Sequence, residues 1–393
     1  MKEENMGIDG LYQFIEETDP QGQALWRHLA EIESPSGCKE GVDEIVAHLD
    51  TYAGALGLST RKYEYETAGS SLVAETQPGT LPAIALMAHM DTVHKKGTFP
   101  GGLFRTDGDT VRGPGVYDCK GGIAVAFQVA RALQHIGYHK RQVRILLIGD
   151  EEVAHSLSGG KSLELYEKEI PGCCCAFNCE SGFINGDVTV ERKGGGIAEI
   201  TVRGVEAHAG SAPSQGASAI AEAARKIGQI EALSDWDSGK LYNCGLISGG
   251  TGANVIPGQC SFQVGLRFIK NADFDEEMRN LETICADNLD ARVQTDICIK
   301  GLFKAMETTG KTQALLALYQ DACSSLKLPV PQGVRANGCS DASFVTLQGV
   351  PALCGVGVRG EFNHSLKEYA VLSSMSEQVK KICATILSLP DDF

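Results

Sequence analysis

The sequence lacks any apolar stretch approaching the roughly 20 residues that a membrane helix needs. Its longest apolar runs, near Ala83 to Ala88 and Ile145 to Ile148, fall far short, so no membrane association is expected. No apolar core follows the polar, acidic start Met1-Lys2-Glu3-Glu4-Asn5, so export is not expected either and a cytoplasmic location is. Basic charge is in deficit. With 35 Lys and Arg against 50 Asp and Glu, the formal charge of -15 repels phosphate backbones and excludes nucleic acid as the main partner. No repeat at a fixed period and no low-complexity segment is visible. No second C-x-x-C pair lies near Cys173, Cys174, Cys175 and Cys179, and three adjacent cysteines do not readily converge on one ion. The fourteen cysteines are therefore read as thiols, and this cluster as buried and structural rather than metal-binding.

What remains is an ordinary soluble-enzyme composition, 43% hydrophobic and 22% charged, in 393 residues, which is more than one core usually supports. Two domains follow. The runs Ala83 to Ala88 and Gln142 to Ile148 read as buried parallel strands, and Gly122 to Ile136 between them carries Ile123, Phe127, Ala130 and Leu133 on one helical face. This is a βαβ crossover, and in open α/β sheets ligands sit beyond the carboxyl ends of the strands, where His89, Asp91, Glu151 and Glu152 fall. From about Asp187 the pattern changes. Strands Val188 to Val190, Ile197 to Val202, Leu241 to Ile247, Cys260 to Phe268 and Val293 to Ile299, with helices Ser218 to Leu233 and Asp273 to Ala286, give the β-α-β-β-α-β order of a small ferredoxin-like domain. After Gly301 the chain returns to complete the first domain.

Ala88-His89-Met90-Asp91 ends the first buried strand, and strand alternation puts His89 and Asp91 on one side. Asp91 either orients a metal-binding histidine or forms a buried hydrogen-bonded pair with it. In Gly113-Pro114-Gly115-Val116-Tyr117-Asp118-Cys119-Lys120-Gly121-Gly122, flanking glycines allow a tight backbone path. Asp118 there is either a carboxylate able to bridge two cations or a helix N-cap. Gly149-Asp150-Glu151-Glu152 gathers acids at a strand end, which either repel until a cation or proton neutralises them or form a solvated acidic turn. Glu180 and His364 complete a plausible set, although a lone loop histidine such as His364 is by itself more often a surface residue.

Taken in this order, these segments resemble the dinuclear zinc peptidase family that includes aminoacylase, acetylornithine deacetylase, succinyl-diaminopimelate desuccinylase and the glutamate carboxypeptidases. The match runs along nearly the whole chain. It is most similar to the bacterial glutamate carboxypeptidase (carboxypeptidase G) branch, through Gly113-Pro114-Gly115, Asp150-Glu151-Glu152, Ala207-His208-Ala209-Gly210-Ser211-Ala212-Pro213, Asn254-Val255-Ile256-Pro257 and Ser340-Asp341-Ala342. The resemblance implies a zinc-exopeptidase-like α/β/α catalytic domain with a mostly parallel sheet, formed by residues 1–187 and 302–393. An inserted ferredoxin-like α+β lid and dimerisation domain would span 188–301.

It also implies two zinc ions per subunit, with cobalt or manganese possible for such nitrogen and oxygen ligands. His89, Asp118 and Glu180 would hold one ion, and Asp118, Glu152 and His364 the other. Asp91 would orient His89, Glu151 would act as general base, and His208 would reach the reacting carbonyl, in several family members from the partner subunit of a homodimer. Arg267 and Asn254 match substrate-contact positions, with a structural pairing to one of the many acids the alternative for Arg267 at its strand end, and Gly338 offers a backbone N–H to an anion. Two departures stand out. Lys300-Gly301-Leu302-Phe303 lacks the arginine that the branch has after the glycine, and Asn337-Gly338-Cys339 replaces an all-glycine run, so the preferred side chain stays open. The implied function is a metallo-exopeptidase acting on a small peptide or N-acyl amino acid with a free carboxylate, with C-terminal glutamate one candidate. The alternatives are an N-acyl amino acid deacylase or deacetylase with the same metal centre, and a non-catalytic binding protein retaining the fold.

Overall fold

The computed structural model describes residues 2–99 and 101–393, with side chains from Gly10 onward. The chain divides into two compact units. The first comprises the residues up to Glu191 together with Thr308–Arg335 and Phe344–Phe393. Its centre is an eight-stranded sheet in the order Ser59–Tyr63, Ser71–Glu75, Arg141–Ile148, Leu81–His89, Cys173–Asn178, Ala352–Cys354, Val188–Arg192, Gly333–Ala336. The strands from Arg141–Ile148 to Ala352–Cys354 in that order run parallel, whereas the outer pairings to Ser71–Glu75 and Val188–Arg192 are antiparallel.

The expected crossover is present. Leu81–His89 leads through the helix Gly121–His135 to the adjacent parallel strand Arg141–Ile148. From Ala83 to His89 every residue is buried, as befits a strand covered on both faces. Ile84, Leu86, Ile145, Leu147 and Phe177 form its core with Ile123, Phe127 and Ala130 of the crossover helix. That helix packs against Lys2–Glu31 and Ser374–Ser388, and Gly310–Ser325 packs on the latter, so the returning chain completes this unit.

The second unit comprises Arg192–Glu307 and Ala336–Ser343. Its antiparallel sheet has the order Leu241–Gly249, Gln259–Phe268, Gly194–Arg203, Gln294–Phe303, with helices Ala219–Glu231 and Asn271–Ala286 in the β-α-β-β-α-β sequence expected. Alternation drives the packing: Ala198, Ile200 and Val202 point into a core with Phe262, Val264, Leu266 and Phe268, while Ile197, Glu199 and Thr201 point away. Ser218 caps the first helix by accepting from the Ala221 N–H. The buried ammonium of Lys226 donates to the carbonyls of Ile284, Cys285 and Asp287 at the end of the second helix. One strand departs from the reading above. Val188–Arg192 was grouped with the small domain, yet it lies in the large sheet beside Ala352–Cys354, because Val188, Thr189 and Val190 are all buried and need cover on both faces. Among the described residues no helix is long and apolar enough to cross a membrane.

Candidate metal centre

Three strand ends of the first unit deliver the acidic and imidazole groups: His89 closes Leu81–His89, Glu151 and Glu152 follow Arg141–Ile148, and Glu180 follows Cys173–Asn178. The loop carrying Asp118 is fixed between them. Gly115 adopts φ +69°, and a side chain there would come within 2.6 Å of Thr92 Cγ2, so glycine is needed on both counts. The indole of Trp26 donates to the Val116 carbonyl at 3.0 Å. Asp118 does not cap the helix that follows, which begins at Gly121.

Instead its two oxygens face two histidines. Asp118 Oδ1 lies 3.2 Å from His89 Nε2, and Oδ2 lies 3.3 Å from His364 Nε2. His364 Nε2 also approaches Glu152 Oε2 at 3.0 Å. Ligand atoms of His89, Glu151 and Glu180 lie within 4.8 Å of one another, as do those of Asp118, Glu152 and His364. His89, Asp118, Glu151, Glu152, Glu180 and His364 therefore converge, with only the side chain of His364 half exposed, at 54%.

The electrostatics of this cluster call for positive charge. Burial and the neighbouring Asp118 carboxylate push Glu152 up to about 7 against the pull of His364. Hydrogen bonds to Asp118 and Glu152 push His364 up to about 10. Asp118 is held well below the usual carboxylate range: burial opposes its ionisation, but His364, His89 and Asn363 outweigh it. Four carboxylates and two imidazoles in one mostly buried pocket are a donor set of nitrogen and oxygen, of the kind catalytic divalent ions take. The residues present fit such a centre.

Asp91, fully buried, does more than expected. The His89 Nδ1 atom is 3.0 Å from the Asp91 backbone oxygen and 3.5 Å from its carboxylate, so the main-chain oxygen is the nearer partner. The carboxylate accepts from the backbone N–H groups of Glu151 and Glu152 and from the Ser36 hydroxyl. Asp150 turns away, accepting from the Ser158 N–H. Sequence reasoning missed Glu368, which is also fully buried: one oxygen accepts from the Tyr117 and Asp118 N–H groups and the other contacts His94 Nε2 at 2.8 Å. Its only sequence signal was nearness to His364. It also missed Asn363, whose amide donates to Asp118 at 3.0 Å, and Cys119. The Cys119 thiol, pushed up to about 12 by burial, accepts from the His89 backbone N–H at 3.1 Å, and its sulfur lies within 4.8 Å of ligand atoms of His89 and Asp118.

The remaining expected residues lie in the second unit. His208 pairs with Val255 in a two-residue ribbon, and its Nδ1 accepts from the Gly210 and Ser211 N–H groups, both at 3.1 Å. Asn254 accepts the Ala209 N–H through its backbone oxygen. Arg267 donates to its neighbour's carbonyl, Leu266, at 2.8 Å. Gly338 accepts from Arg192 at 3.2 Å through its own carbonyl. All fourteen cysteines are free thiols, and ten are buried, as the composition led one to expect.

Two family models match this chain: a peptidase dimerisation domain over residues 190–293 and peptidase family M28 over residues 71–224. Carboxypeptidase G2 of Pseudomonas is 26% identical over 96% of this chain and 92% of its own length. The succinyl-diaminopimelate desuccinylase of Corynebacterium glutamicum is 26% identical over 84% of this chain and 86% of its own length. Among solved structures, an M20 family metallo-carboxypeptidase from Sulfolobus solfataricus shares the fold, with a TM-score of 0.75 at 14% identity, covering 93% of this chain and 98% of that one. The fold, the site and these relatives define a hydrolase of the metallopeptidase and amidohydrolase class. Within that class, the proteins to which this chain is similar include a carboxypeptidase, a desuccinylase and an M20 family metallo-carboxypeptidase.

Proposed function

We propose that this protein is a dinuclear zinc exopeptidase that hydrolyses the amide bond of a small peptide or N-acyl amino acid next to a free carboxylate, with C-terminal glutamate the first substrate to test. The observation that carries this reading is the shared position of Asp118, with one oxygen on His89 and the other on His364. His89, Asp118 and Glu180 would hold one ion, and Asp118, Glu152 and His364 the other. When bound, such a pair supplies Lewis acidity and makes water a nucleophile at neutral pH.

The chain's own residues do the rest. Glu151 takes a proton from the attacking water and passes it to the leaving nitrogen as the C–N bond breaks, so one carboxylate serves as base and then acid. Asp91 fixes His89 and the Glu151 turn through its hydrogen bonds. Because His208 Nδ1 accepts two backbone N–H groups, its proton sits on Nε2, which suits it to donate to the oxyanion of a tetrahedral intermediate. Arg267, Asn254 and Gly338 take the substrate carboxylate. The match to a peptidase dimerisation domain supports a homodimer formed through the inserted unit, with His208 acting in its own or the partner's site.

Two experiments test this. Chelation abolishes turnover and zinc restores it, and a panel of acyl-glutamates, N-acetyl amino acids and dipeptides separates a carboxypeptidase from a deacylase. The deacylase remains the second reading because a desuccinylase aligns as well in identity as a carboxypeptidase does. Glu151→Gln keeps its metal content while turnover falls about 10²–10⁴-fold. Normal activity in a metal-loaded variant sinks the assigned mechanism.

A further inference from the structure

The run Cys173-Cys174-Cys175 has no part in the proposed hydrolysis. It opens the strand Cys173–Asn178, at the end away from Glu180. Neighbouring strand residues ordinarily point to opposite faces, which would keep adjacent thiols apart. Here the pairing with Leu81–His89 slips: Ala83 faces Cys173 and Ile84 faces Cys175, leaving Cys174 as the extra residue of a β-bulge. The bulge re-aims the side chains, and the sulfurs of Cys174 and Cys175 lie 3.8 Å apart. Cys173 is engaged elsewhere, its thiol donating to the Glu169 carbonyl at 3.5 Å. Beside the pair stands Arg141, 2% exposed, whose guanidinium donates to the carbonyls of Pro82, Pro390 and Asp391 and whose charge acts on both thiols.

We propose that Cys174 and Cys175 form a two-thiolate site for a soft, monovalent metal ion of the Cu(I) type. Two sulfurs at a metal–sulfur distance of about 2.3 Å stand about 4.6 Å apart when an ion takes these two ligands alone and in line, so the pair, which the bulge has already brought to 3.8 Å on one side of the strand, opens by about 0.8 Å on binding. Zinc in a closed site takes four ligands, and among the described residues no third His, Cys, Asp or Glu ligand atom groups with this pair. Thiolates select soft ions, and Cu(I) accepts few ligands. Charge favours the same choice: two thiolates, one monovalent ion and the Arg141 guanidinium sum to zero in a buried place, whereas a divalent ion leaves an excess positive charge. Binding exchanges two S–H bonds for two metal–sulfur bonds and releases both protons to solvent.

The neighbouring Cys175 thiol and Arg141 bring Cys174 down to about 7 against its burial, so one of the two protons leaves near neutral pH. Access is available, since Cys174 is 9% exposed. A cavity of about 260 Å³ also has Arg141 and Tyr138 in its wall, and both lie within electrostatic reach of the pair.

The test uses the full chain, reduced, anaerobic and first saturated with zinc, with Cu(I) supplied from a bicinchoninate complex. Wild type withdraws one equivalent of Cu(I) more than Cys174→Ser and Cys175→Ser do, while Cys298→Ser, at an exposed thiol, behaves as wild type. In parallel, one equivalent of Cu(I) slows alkylation of Cys174 in the unmodified protein at least ten-fold, read by peptide mass spectrometry. That measurement needs no variant, so a folding defect in Cys175→Ser does not blunt the test. Equal copper uptake by wild type and Cys174→Ser, or equal Cys174 alkylation with and without Cu(I), overturns the proposal.

Discussion

Glu277 gives the second unit a pH dependence that a single substitution should remove. It lies on the helix Asn271–Ala286 with 1% of its surface exposed, and neither carboxylate oxygen has a hydrogen-bond partner among the described residues. Burial, then the charges of Asp273 and Glu276, push it from 4.5 up to about 7, while Lys240 opposes them. Between these two values the folded chain holds a proton that the unfolded chain has released. Stability therefore falls as pH rises from 4.5 to 7 and levels off above 7. A shift of about 2.5 pH units at about 1.4 kcal/mol per unit amounts to at most about 3.5 kcal/mol. Glu277→Gln keeps the shape and never ionises. It should match wild type to within about 0.5 kcal/mol at pH 4.5 and exceed it by up to about 3.5 kcal/mol at pH 8. Urea unfolding of both proteins at half-unit pH intervals measures the difference. An offset that does not change with pH refutes the reasoning, because it means the carboxylate is ionised in the folded chain throughout.

Glu368→Gln should cost about 1–3 kcal/mol in thermal or urea unfolding, since an amide that accepts from Tyr117 and Asp118 on its oxygen turns a donor towards His94, which loses a charged acceptor. Leu86→Ala, at a fully buried position in the middle of the large sheet, should lose about 2–5 kcal/mol on the same measurement and leave the candidate ligand set in place, so metal uptake per folded chain stays at the wild-type value.

The parts of the fold that rest on period were legible in the sequence. Ala83 to Ala88 and Ile145 to Ile148 announce covered strands by unbroken apolar runs, and the alternation of Ala198, Ile200 and Val202 announces a half-covered one. Val188 to Val190 was harder, because three residues cannot show whether one face or two is buried, and only the pairing with Ala352–Cys354 reveals it. At the site, the acids and histidines at strand ends were legible because like charges packed together require compensation. Glu368, Ser36 and Asn363 were not, since each acts through a contact between segments far apart in sequence, and nearness to His364, which Glu368 and Asn363 share, does not say what they touch. The paired thiols of Cys174 and Cys175 were hidden for a related reason. Regular alternation separates adjacent side chains, and a bulge depends on the register of the neighbouring strand rather than on the residues themselves.

Asp91 shows how the scaffold transmits precision to the centre. A buried carboxylate is costly unless its oxygens are satisfied, and here they accept from the Ser36 hydroxyl at 2.6 Å and from the Glu151 and Glu152 N–H groups at 3.2 and 3.1 Å. Through one side chain the end of one strand sets the turn at the end of the next, and with it the aim of both glutamates. Asp91→Glu keeps the charge and the acceptors but adds a methylene, which displaces the oxygens by about 1.5 Å unless the turn moves with them. Catalytic groups must be held to within about 0.5 Å. Turnover should therefore fall by about 10²-fold, the cost of a misplacement near 1 Å, while the unfolding midpoint changes little. Equal losses in turnover and in stability would mean that Asp91 merely holds the fold together, and near-normal turnover would mean that the glutamates take their aim from somewhere else.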